Sequence, residues 1–406
     1  AFITVITPLG EPLTESAKHY YGLLTTEKTN IFEESYDIII DAVFGIGLNR
    51  NVNAEIISLF EKINNSASTV ISIDIPSGVE CDTGKILGEC INCQLCITFI
   101  ALKPCFMLPP ATDYCSKVTV ADIGVTPIGF KFETISKPNL PQRKHNSHKG
   151  TFGTSLLFCG SYGMLGAAIL SAKACLRSGV GIAKCVIAKS IYDAFTTAVP
   201  EAVCIPSKQT VNGYLHSKIN IKKATEKVSA ILFGCGLGNN RHTKKLLKNI
   251  VVNAKVPLVI DADGINALAT NINILKKTSA SIILTPHPAE MARLTGLTVA
   301  QVEENRIKTA TEFANKYKCH LVLKGANTIV ATPSGEIFFN MCGNTGLATG
   351  GSGDVLAGIT VSLLAQGIPV TDAVKWAVYI HSDTADKVCN QKGERALLPS
   401  DIIDAL

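Results

Sequence analysis

The chain has 406 residues, of which 47% are hydrophobic and 17% are charged, and its formal net charge at pH 7 is +5. This length predicts two or three domains, and the apolar content excludes a disordered chain. The 32 glycines follow no Gly-X-Y period, which excludes a collagen-like fibre. The charge is small for this length and we find no basic run with interleaved aromatic residues, so no nucleic-acid partner is expected.

The apolar runs and the N-terminal sequence argue against membrane insertion and secretion. The longest clean apolar run, within residues 355–365, is far shorter than the roughly 20 residues of a membrane-spanning helix. The first residues lack the basic and small-residue features of a signal peptide. The chain has no initiator methionine and opens in an apolar, β-branched stretch, so we expect the natural N-terminus to lie further upstream.

The 14 cysteines are scattered, and many lie in apolar stretches. In a long chain without a secretory segment this pattern predicts reduced thiols, packed as small hydrophobic residues, and a cytoplasmic location. Cys90, Cys93 and Cys96 have a spacing that can hold an iron–sulfur cluster, but a fourth ligand at cluster spacing is missing. A buried strand that begins near residue 97 is the simpler interpretation.

Residues 1–130 alternate short strands rich in valine and isoleucine with polar helical stretches. Runs of β-branched residues at 38–43 and 69–75 are typical of strands buried on both faces, and the apolar spacing at 53–64 predicts a helix between them. This order predicts a Rossmann-like α/β domain with a parallel sheet. Residues 131–148 are polar, contain two prolines and show no periodicity, which predicts a linker.

Residues 149–406 have the pattern of a second α/β domain. Strands are predicted at 155–159, 183–187, 230–233, 258–260, 281–284, 321–323 and 328–331. Helices are predicted at 166–178, 243–254, 298–316 and 353–366.

A glycine-rich stretch at 344–358 leads into an apolar helix and carries the strongest chemical signal. Glycine lets the backbone approach a phosphate closely, and the helix N-terminus offers free N–H groups and a positive dipole end. Asp354 could take a proton from a hydroxyl held beside the phosphate, or it could only cap the helix. The loop chemistry alone leaves both roles open.

Other polar residues follow predicted strands in this half. Asp261 and Asp263 suit acid–base or metal chemistry, or they could only anchor a loop through hydrogen bonds. His287 lies between two prolines, where a structural role is more common than a chemical one. Lys324 is followed by Gly-Ala-Asn-Thr, which favours a nucleotide contact over a surface lysine.

The second half resembles one branch of the ribokinase-like superfamily, the ADP- or ATP-dependent NAD(P)H-hydrate dehydratases. The resemblance spans residues 148–406, and Asp354 ends the family's Gly-x-Gly-Asp pattern. One departure is Cys235, where the family usually has proline in a Gly-Pro-Gly-Leu-Gly turn. The matching motifs lie, in the family's order, at 148–153, 160–167, 177–181, 234–238, 261–268, 285–290, 323–328, 351–354 and 393–401.

The resemblance implies a ribokinase-like fold and a role for each matching residue. Asp354 would be catalytic and would activate the hydroxyl of the hydrated nicotinamide. Glu290 falls where related enzymes organise Mg²⁺ through water. The implied substrate-binding residues are Ala167, Gly238, His287 and Asp354. The implied nucleotide-binding residues are Lys324, Gly325, Ala326, Asn327, Thr328 and Gly353, with Gly353 at the phosphates.

The implied reaction is the dehydration of (6S)-NADH or NADPH hydrate, with ADP as the phosphoryl donor, ATP as a possible one, and AMP and phosphate as products. A homo-oligomer is expected from the same resemblance. The alternative enzyme is a ribokinase-like small-molecule kinase, which shares the glycine loop but does not explain the other motifs or the first domain. A non-catalytic binding module stays open for the first half.

In the first half, polar residues lie at the ends of three predicted strands. Asp41 and Asp74 can converge on one pocket, because ligands bind beyond the carboxyl ends of strands in open parallel sheets, or they can merely cap loops. Lys103 follows a third strand.

These motifs resemble the NAD(P)H-hydrate epimerase domain. The resemblance implies that Asp41 and Ser77 ligate K⁺ and that Asp74 is the catalytic acid or base. Ile46 replaces the family's threonine, and the family's Asn-Asn-Gly-Gly-Asp-Gly phosphate loop is absent, so we expect impaired epimerisation. The implied substrate contacts are Gly45, Ile46, Gly47, Leu48, Asn49, Arg50, Asn51 and Asp74.

Overall fold

A computed structural model describes residues 2–33, 36–126, 129 and 132–406. The chain divides into two compact units, residues 1–130 and 131–406. Phe130 and Lys131, where the predicted domain boundary falls, lie outside the described residues. In the part of the chain that the structure describes, no helix combines the length and the apolar character needed to cross a membrane.

The described part of the first unit has two parallel sheets. In one, β1 (Thr4–Ile6) pairs with β2 (Glu27–Thr29). The other has the strand order β3 (Ile38–Asp41), β4 (Thr69–Ile73), β5 (Leu95–Phe99), β6 (Val118–Ala121). Its helices are α1 (Glu15–Gly22) and α2 (Ala54–Asn65).

Helix α2 confirms the periodicity of the sequence. It begins where the Asn53 side chain accepts the backbone N–H of Ile56, and it buries Ile56, Phe60 and Ile63. The prediction that β3 is buried on both faces was wrong, because Ile38 and Ile40 are 60% and 66% exposed. β3 is the edge strand of its sheet, and α2 packs with Ile39 on one face only.

The second unit has a ten-stranded sheet flanked by helices. The strand order is β10 (Val203–Ser207), β9 (Ile182–Ala188), β8 (Thr154–Phe158), β11 (Ala230–Phe233), β12 (Leu258–Ile260), β13 (Ile282–Leu284), β14 (His320–Leu323), β15 (Ile329–Ala331), β16 (Ile337–Phe339), β7 (Phe132–Thr134). Strands β8 to β14 run parallel, so their carboxyl ends lie along one edge of the sheet.

The helices of this unit connect and cover the strands. They are α3 (Leu165–Arg177), α4 (Tyr192–Ala198), α5 (Ile221–Ala224), α6 (Arg241–Asn253), α7 (Asp263–Ala269), α8 (Pro288–Thr295), α9 (Val299–Glu304), α10 (Arg306–Tyr317), α11 (Ser352–Ala365), α12 (Val370–Lys392) and α13 (Pro399–Ala405). The seven predicted strands of this half are confirmed, with bounds that shift by a residue.

Two predicted segments were wrong. Residues 132–134 belong to the predicted linker but form β7, where Phe132 packs against Phe339 with ring centroids 6.1 Å apart. The predicted helix at 298–316 is broken at Asn305, which has a φ of −134°. The break lets the buried Arg306 guanidinium donate to the carbonyl oxygen of Leu323 at 3.4 Å.

Cys90, Cys93 and Cys96 do not form a cluster site. All three are fully buried, but Cys90 packs in a different hydrophobic cluster from the other two. Among the described residues, no group of three potential metal ligands includes them. They act as small core residues, as the sequence suggested.

Close packing of α11 against α3 positions the glycine-rich loop at the start of α11. A Cβ at Gly358 would clash with the carbonyl oxygen of Ser171 and would lie 2.9 Å from the Cβ of Ala174. The two helices therefore approach backbone to backbone, and only glycine fits at this crossing.

We expect Gly358→Ala to lower the free energy of unfolding of the second unit by about 1–3 kcal/mol, because overpacking forces the helices apart. Urea denaturation followed by the fluorescence of Trp376, the only tryptophan, reports on this unit. Gly166→Ala in α3 is the matched control, since a Cβ there meets no atom within 4 Å. Equal effects of the two substitutions would contradict this packing argument.

Candidate active sites

A buried ion-pair network lies where the ends of β12 and β14 meet the start of α8. Asp261 follows β12, Lys324 follows β14, and Glu290 is in the first turn of α8. The Nζ of Lys324 lies 3.0 Å from Oδ1 of Asp261 and 3.9 Å from Oε2 of Glu290. Burial alone would lower the pKa of Lys324, but the two carboxylates outweigh it and raise that pKa. Lys324 is therefore charged at neutral pH.

Asp354 lies beside this network, in the first turn of α11. Gly351, with a φ of 101°, takes the N-cap position, so Asp354 is not the capping residue. One ligand atom each of Asp354, Asp261 and Cys235 lies within 4.8 Å of the other two. Burial first, and then the Asp261 carboxylate, raises the pKa of Asp354 to about 7. A carboxyl group with this pKa can accept a proton at neutral pH.

His287 and Glu290 form a reciprocal cap at the start of α8. Nδ1 of His287 accepts the backbone N–H of Ala289 at 3.2 Å, and Oε2 of Glu290 accepts the N–H of His287 at 2.9 Å. The proton of the neutral ring is then on Nε2, which lies 3.5 Å from Oε1 of Glu290. Burial, followed by Lys324, lowers the pKa of His287, and burial raises the pKa of Glu290 to about 7.

A cavity of about 720 Å³ opens beside Asp261 and Lys324. All six predicted nucleotide-binding residues, 324–328 and Gly353, line it together with His287. A Cβ at Gly353 would lie 3.3 Å from Nζ of Lys324 and 3.7 Å from Oδ2 of Asp261, so glycine brings the helix start onto the network. The volume suits a ligand the size of a nucleotide.

The other two predicted substrate-binding residues, Ala167 and Gly238, lie at the turn formed by residues 234–238. A Cβ at Gly236 would lie 2.8 Å from the Cβ of Ala167. The N–H of Gly238 donates to Oδ2 of Asp263 at 2.7 Å. The turn continues through Cys235, whose Sγ lies 4.0 Å from Oδ2 of Asp261. The turn at 234–238 therefore lies next to both groups: Ala167 packs against it, Gly238 ends it, and its Cys235 lies beside Asp261.

The sequence analysis missed His381, which lines the cavity, and Asp386, which binds two loop residues that line it. His381, in the middle of α12, has its Nε2 3.3 Å from Oγ of Ser352, and burial lowers the pKa of its ring to about 4. Asp386 of α12 accepts the N–H of Gly343 at 2.8 Å and Nδ2 of Asn344 at 2.7 Å. Asn344 begins the glycine-rich stretch and could have been found there, but no local pattern marks His381 or Asp386.

In the first unit, Asp41 is buried in a network of hydrogen-bond donors. It accepts Oγ of Ser72 at 2.8 Å, N–H of Ser77 at 2.9 Å and Oγ of Ser77 at 2.5 Å. Burial raises the pKa of Asp41 even though these bonds oppose the shift. No described residue forms an ion pair with this carboxyl group.

Asp74 and Lys103 form an ion pair at the neighbouring strand ends. Nζ of Lys103 lies 3.0 Å from Oδ1 of Asp74 and donates to Oγ1 of Thr98 at 2.7 Å. Asp74 has a φ of 72°, which is uncommon for a residue with a side chain and concentrates at functional sites. The sequence predicted Lys103 at the end of a third strand but did not predict its ion pair with Asp74.

The predicted substrate loop at 45–51 lies partly beside Asp74, partly at the surface and partly in the hydrophobic core. Ile46 N–H donates to Oδ2 of Asp74 at 3.3 Å, and a Cβ at Gly45 would lie 3.0 Å from the same oxygen. Gly47 and residues 49–51 are exposed. The Leu48 side chain instead packs in the hydrophobic core with Ile56 and Phe60, so only its backbone faces the loop.

Comparison with known proteins identifies the family of the chain. The sequence model of the NAD(P)H-hydrate dehydratase family matches residues 155–406, and that of the YjeF-related protein N-terminus matches residues 10–105. A bifunctional NAD(P)H-hydrate repair enzyme of Moorella thermoacetica is 34% identical over 382 residues, which are 91% of this chain and 72% of that protein. The chain belongs to the bifunctional NAD(P)H-hydrate repair enzyme family.

Further relatives support this membership for both units and for the second unit alone. The bifunctional repair enzyme of Vibrio cholerae is 37% identical over 383 residues, or 92% of this chain and 74% of that protein. The ADP-dependent (S)-NAD(P)H-hydrate dehydratase of Neisseria meningitidis is 39% identical over 268 residues, or 65% of this chain and 86% of that protein.

Solved structures support the ribokinase-like fold of the second unit. The ADP/ATP-dependent NAD(P)H-hydrate dehydratase of Bacillus subtilis, co-crystallised with ATP and Mg²⁺, is 33% identical with a TM-score of 0.58, over 66% of this chain and 91% of that chain. A ribokinase-like superfamily protein of Enterococcus faecalis is 28% identical with a TM-score of 0.61, over 70% of this chain and 96% of that chain.

The raised pKa of Asp354 makes a prediction for stability. Its folded pKa of about 7 lies above the ordinary value of 3.8, so the folded state binds the proton more tightly and stability falls as pH rises between about 4 and 7. We therefore expect Asp354→Asn to raise the free energy of unfolding at pH 8 by up to about 4 kcal/mol, and to change it little near pH 4.

Urea denaturation at both pH values, read by Trp376 fluorescence, measures this difference. Asp404→Asn, at an exposed position of α13, is the matched control and should show no pH-dependent gain. A gain that is equal at pH 4 and pH 8 would mean that ionisation of Asp354 costs nothing.

Proposed function

We propose that this protein is a metabolite repair enzyme that dehydrates (6S)-NAD(P)H hydrate with ADP as the phosphoryl donor and that epimerises the R and S hydrates in its first unit. Family membership supports both activities. One observation carries the dehydratase: a proton-accepting carboxyl group, Asp354, starts a glycine-loop helix beside Lys324 and the cavity that holds the predicted nucleotide-binding residues. This arrangement suits phosphoryl transfer to a hydroxyl group.

The second unit binds its two substrates on the two sides of Asp354. The nucleotide lies in the cavity, where Lys324 and the free N–H groups at the start of α11 face its phosphates. Residues 325–328 line the wall next to Lys324. The hydrated nicotinamide lies toward the turn at 234–238, so that its hydroxyl reaches Asp354.

The carboxylates near Lys324 suit Mg²⁺, which prefers oxygen ligands and keeps several waters. Glu290 already accepts the N–H of His287 through Oε2 and faces Lys324, so it would hold the ion through water rather than directly. Asp261 supplies a second buried carboxylate in the same network. When bound, Mg²⁺ would neutralise charge on the transferred phosphoryl group.

The chain's own groups then perform a proton transfer and a charge stabilisation. Asp354 accepts the proton of the substrate hydroxyl as that oxygen attacks the terminal phosphorus of ADP. Lys324 stabilises the negative charge that moves onto the bridging oxygen of the leaving AMP. The ring nitrogen then expels phosphate from the phosphorylated hydrate, and loss of a proton from the neighbouring ring carbon to solvent restores the double bond of NAD(P)H. Asp354 must be ionised to act, so its activity rises as pH increases through about 7.

Asp41 and Ser77 of the first unit suit a potassium ion. Asp41 is a buried carboxyl group without an ion-pair partner among the described residues, and a bound cation would offset the cost of its charge. Oγ of Ser77 and the carbonyl oxygen of Phe44, 3.3 Å apart, offer further oxygen ligands. Next to this network, Asp74 acts as the acid or base of epimerisation and Lys103 holds its carboxylate in place.

Other properties remain predictions. The 14 unbonded cysteines support a reducing compartment such as the cytoplasm. A homo-oligomer is expected from the family resemblance, and light scattering of the purified protein measures it.

The dehydratase is tested with purified protein, Mg²⁺, a mixture of NADH-hydrate epimers, and ADP or ATP. We expect the near-ultraviolet absorbance of NADH to recover with release of free phosphate, faster with ADP. Asp354→Asn should lower the rate by about 10²–10⁴-fold, because the base is lost, while binding of ADP measured by calorimetry changes little.

Asp386→Asn, at a residue that accepts hydrogen bonds from Gly343 and Asn344 without lining the cavity, is the control and should keep most of the rate. Near wild-type turnover by Asp354→Asn would overturn the role of Asp354. No recovery with either nucleotide, or a stable phosphorylated product in place of free phosphate, would instead favour a small-molecule kinase.

The epimerase role rests on Asp74. We expect Asp74→Asn to lower the rate at which the R epimer becomes usable to the spontaneous rate, because the carboxylate that exchanges the proton is gone. The second phase of the NADH recovery, with excess dehydratase activity, measures this rate. Asp82→Asn, at an exposed position nearby, should leave it unchanged. Equal rates for the wild type and Asp74→Asn, both faster than the spontaneous rate, would contradict the role of Asp74.

A further inference from the structure

Cys235 is a potential metal ligand beside Asp354 that the reaction does not use. It stands where the family usually has proline, and its thiol is fully buried. Its Sγ lies 4.0 Å from Oδ2 of Asp261, and one carboxylate oxygen of Asp354 lies within 4.8 Å of both. The three donors come from three different elements: the turn after β11, the end of β12 and the first turn of α11.

We propose that Cys235, Asp261 and Asp354 form a binding site for a thiophilic divalent metal ion of the zinc class, and that occupancy of this site blocks the dehydratase. The blocking of activity rests on the proposed function, whereas the binding itself does not.

The donor distances come close to those around one ion. Around a tetrahedral zinc ion with a Zn–S bond of ~2.3 Å and Zn–O bonds of ~2.1 Å, neighbouring ligand atoms lie about 3.5 Å apart. The Cys235–Asp261 separation of 4.0 Å exceeds this spacing by about half an ångström, and Asp354, within 4.8 Å of both, needs to move by up to about 1.3 Å. Asp261 can serve without losing its ion pair, because Lys324 holds Oδ1 while Oδ2 faces the thiol.

The charges around the site also favour a cation. Asp261, Asp354 and Glu290 surround the single ammonium group of Lys324. Three buried carboxyl groups share one ammonium group, and a divalent ion would stabilise their ionised forms.

The thiol decides which ions bind. Mg²⁺ prefers oxygen ligands, whereas Zn²⁺, Co²⁺ and Cd²⁺ gain from a thiolate. Binding releases the proton of Cys235 to solvent, since a coordinated thiol is deprotonated. An ion can enter from the nucleotide cavity, because Gly353 lines that cavity and a Cβ built on it would lie 3.7 Å from Oδ2 of Asp261.

An ion at this site would hold Asp354, so the proposed base could no longer accept the substrate proton. A protein with proline at this position lacks the sulfur ligand and keeps only two carboxylates. The sensitivity to thiophilic ions is therefore a property of this chain and follows from one residue.

The binding test uses the full chain, free of nucleotide and kept reduced with a phosphine, and Co²⁺ as the probe. We expect one Co²⁺ per chain with the near-ultraviolet charge-transfer band of a cobalt–thiolate bond. Cys235→Ala should lose the band and weaken binding by roughly tenfold or more. Cys319→Ala, which removes an equally buried cysteine outside the site, should keep both.

Cys235→Pro is a second variant in case the alanine variant is unstable. Among the described residues, no hydrogen bond from the backbone N–H of Cys235 is found, so proline removes no bond there. The band surviving in both Cys235 variants, or vanishing in Cys319→Ala, would overturn the site.

The activity test measures inhibition by Zn²⁺ with saturating Mg²⁺ and ADP. We expect the Zn²⁺ concentration for half inhibition to rise by roughly tenfold or more in Cys235→Pro relative to wild type. Equal inhibition of both proteins would overturn the blocking role. A wild-type protein that shows the cobalt band but no dehydratase activity would contradict the proposed function and leave the metal site standing.

Discussion

The second unit depends on one ammonium group held between carboxylates. Lys324 lies 3.0 Å from Asp261 and 3.9 Å from Glu290, and each of the three residues sits at the end of a different strand or the start of a helix. The ammonium group is what allows two carboxylates to be buried together at the sheet edge. Without the ammonium group, mutual repulsion and burial would protonate one carboxylate or move it toward solvent. The cavity wall at Lys324 and the surroundings of Asp354 would then change.

The network also sets the chemistry of its neighbour. Burial and then the Asp261 carboxylate outweigh the opposing effect of Lys324, and together they raise the pKa of Asp354 to about 7. A carboxylate at its ordinary pKa would be a poor proton acceptor for a hydroxyl group. Burial of Asp354 thus lowers the stability of the folded state at high pH, and it also gives the proposed base a pKa that suits proton transfer. Such a loss of stability at a functional site is common.

Much of the fold follows from the sequence, because buried parallel strands are continuous apolar runs and their loops carry recognisable glycine motifs. The strands β8, β11 and β12 and the loop that ends at Asp354 were predicted in this way. Helix α12 was missed because its buried face mixes valines with polar residues such as His381, Ser382 and Thr384, so it shows little hydrophobic contrast. The break at Asn305 and the core position of Leu48 depend on tertiary contacts that no local pattern encodes.

Three residues at the two sites break a local rule of backbone geometry. Asp74, Ala262 and Asn327 all have positive φ without being glycine, at 72°, 48° and 50°. Each lies in the segment that follows a strand: Asp74 beside Lys103, Ala262 between Asp261 and Asp263, and Asn327 in the cavity wall. Such conformations cost about 1–3 kcal/mol each and persist only where the surrounding structure imposes them. Both units therefore store strain at the carboxyl ends of their strands, where backbone direction decides whether a carboxylate or an N–H group faces the substrate.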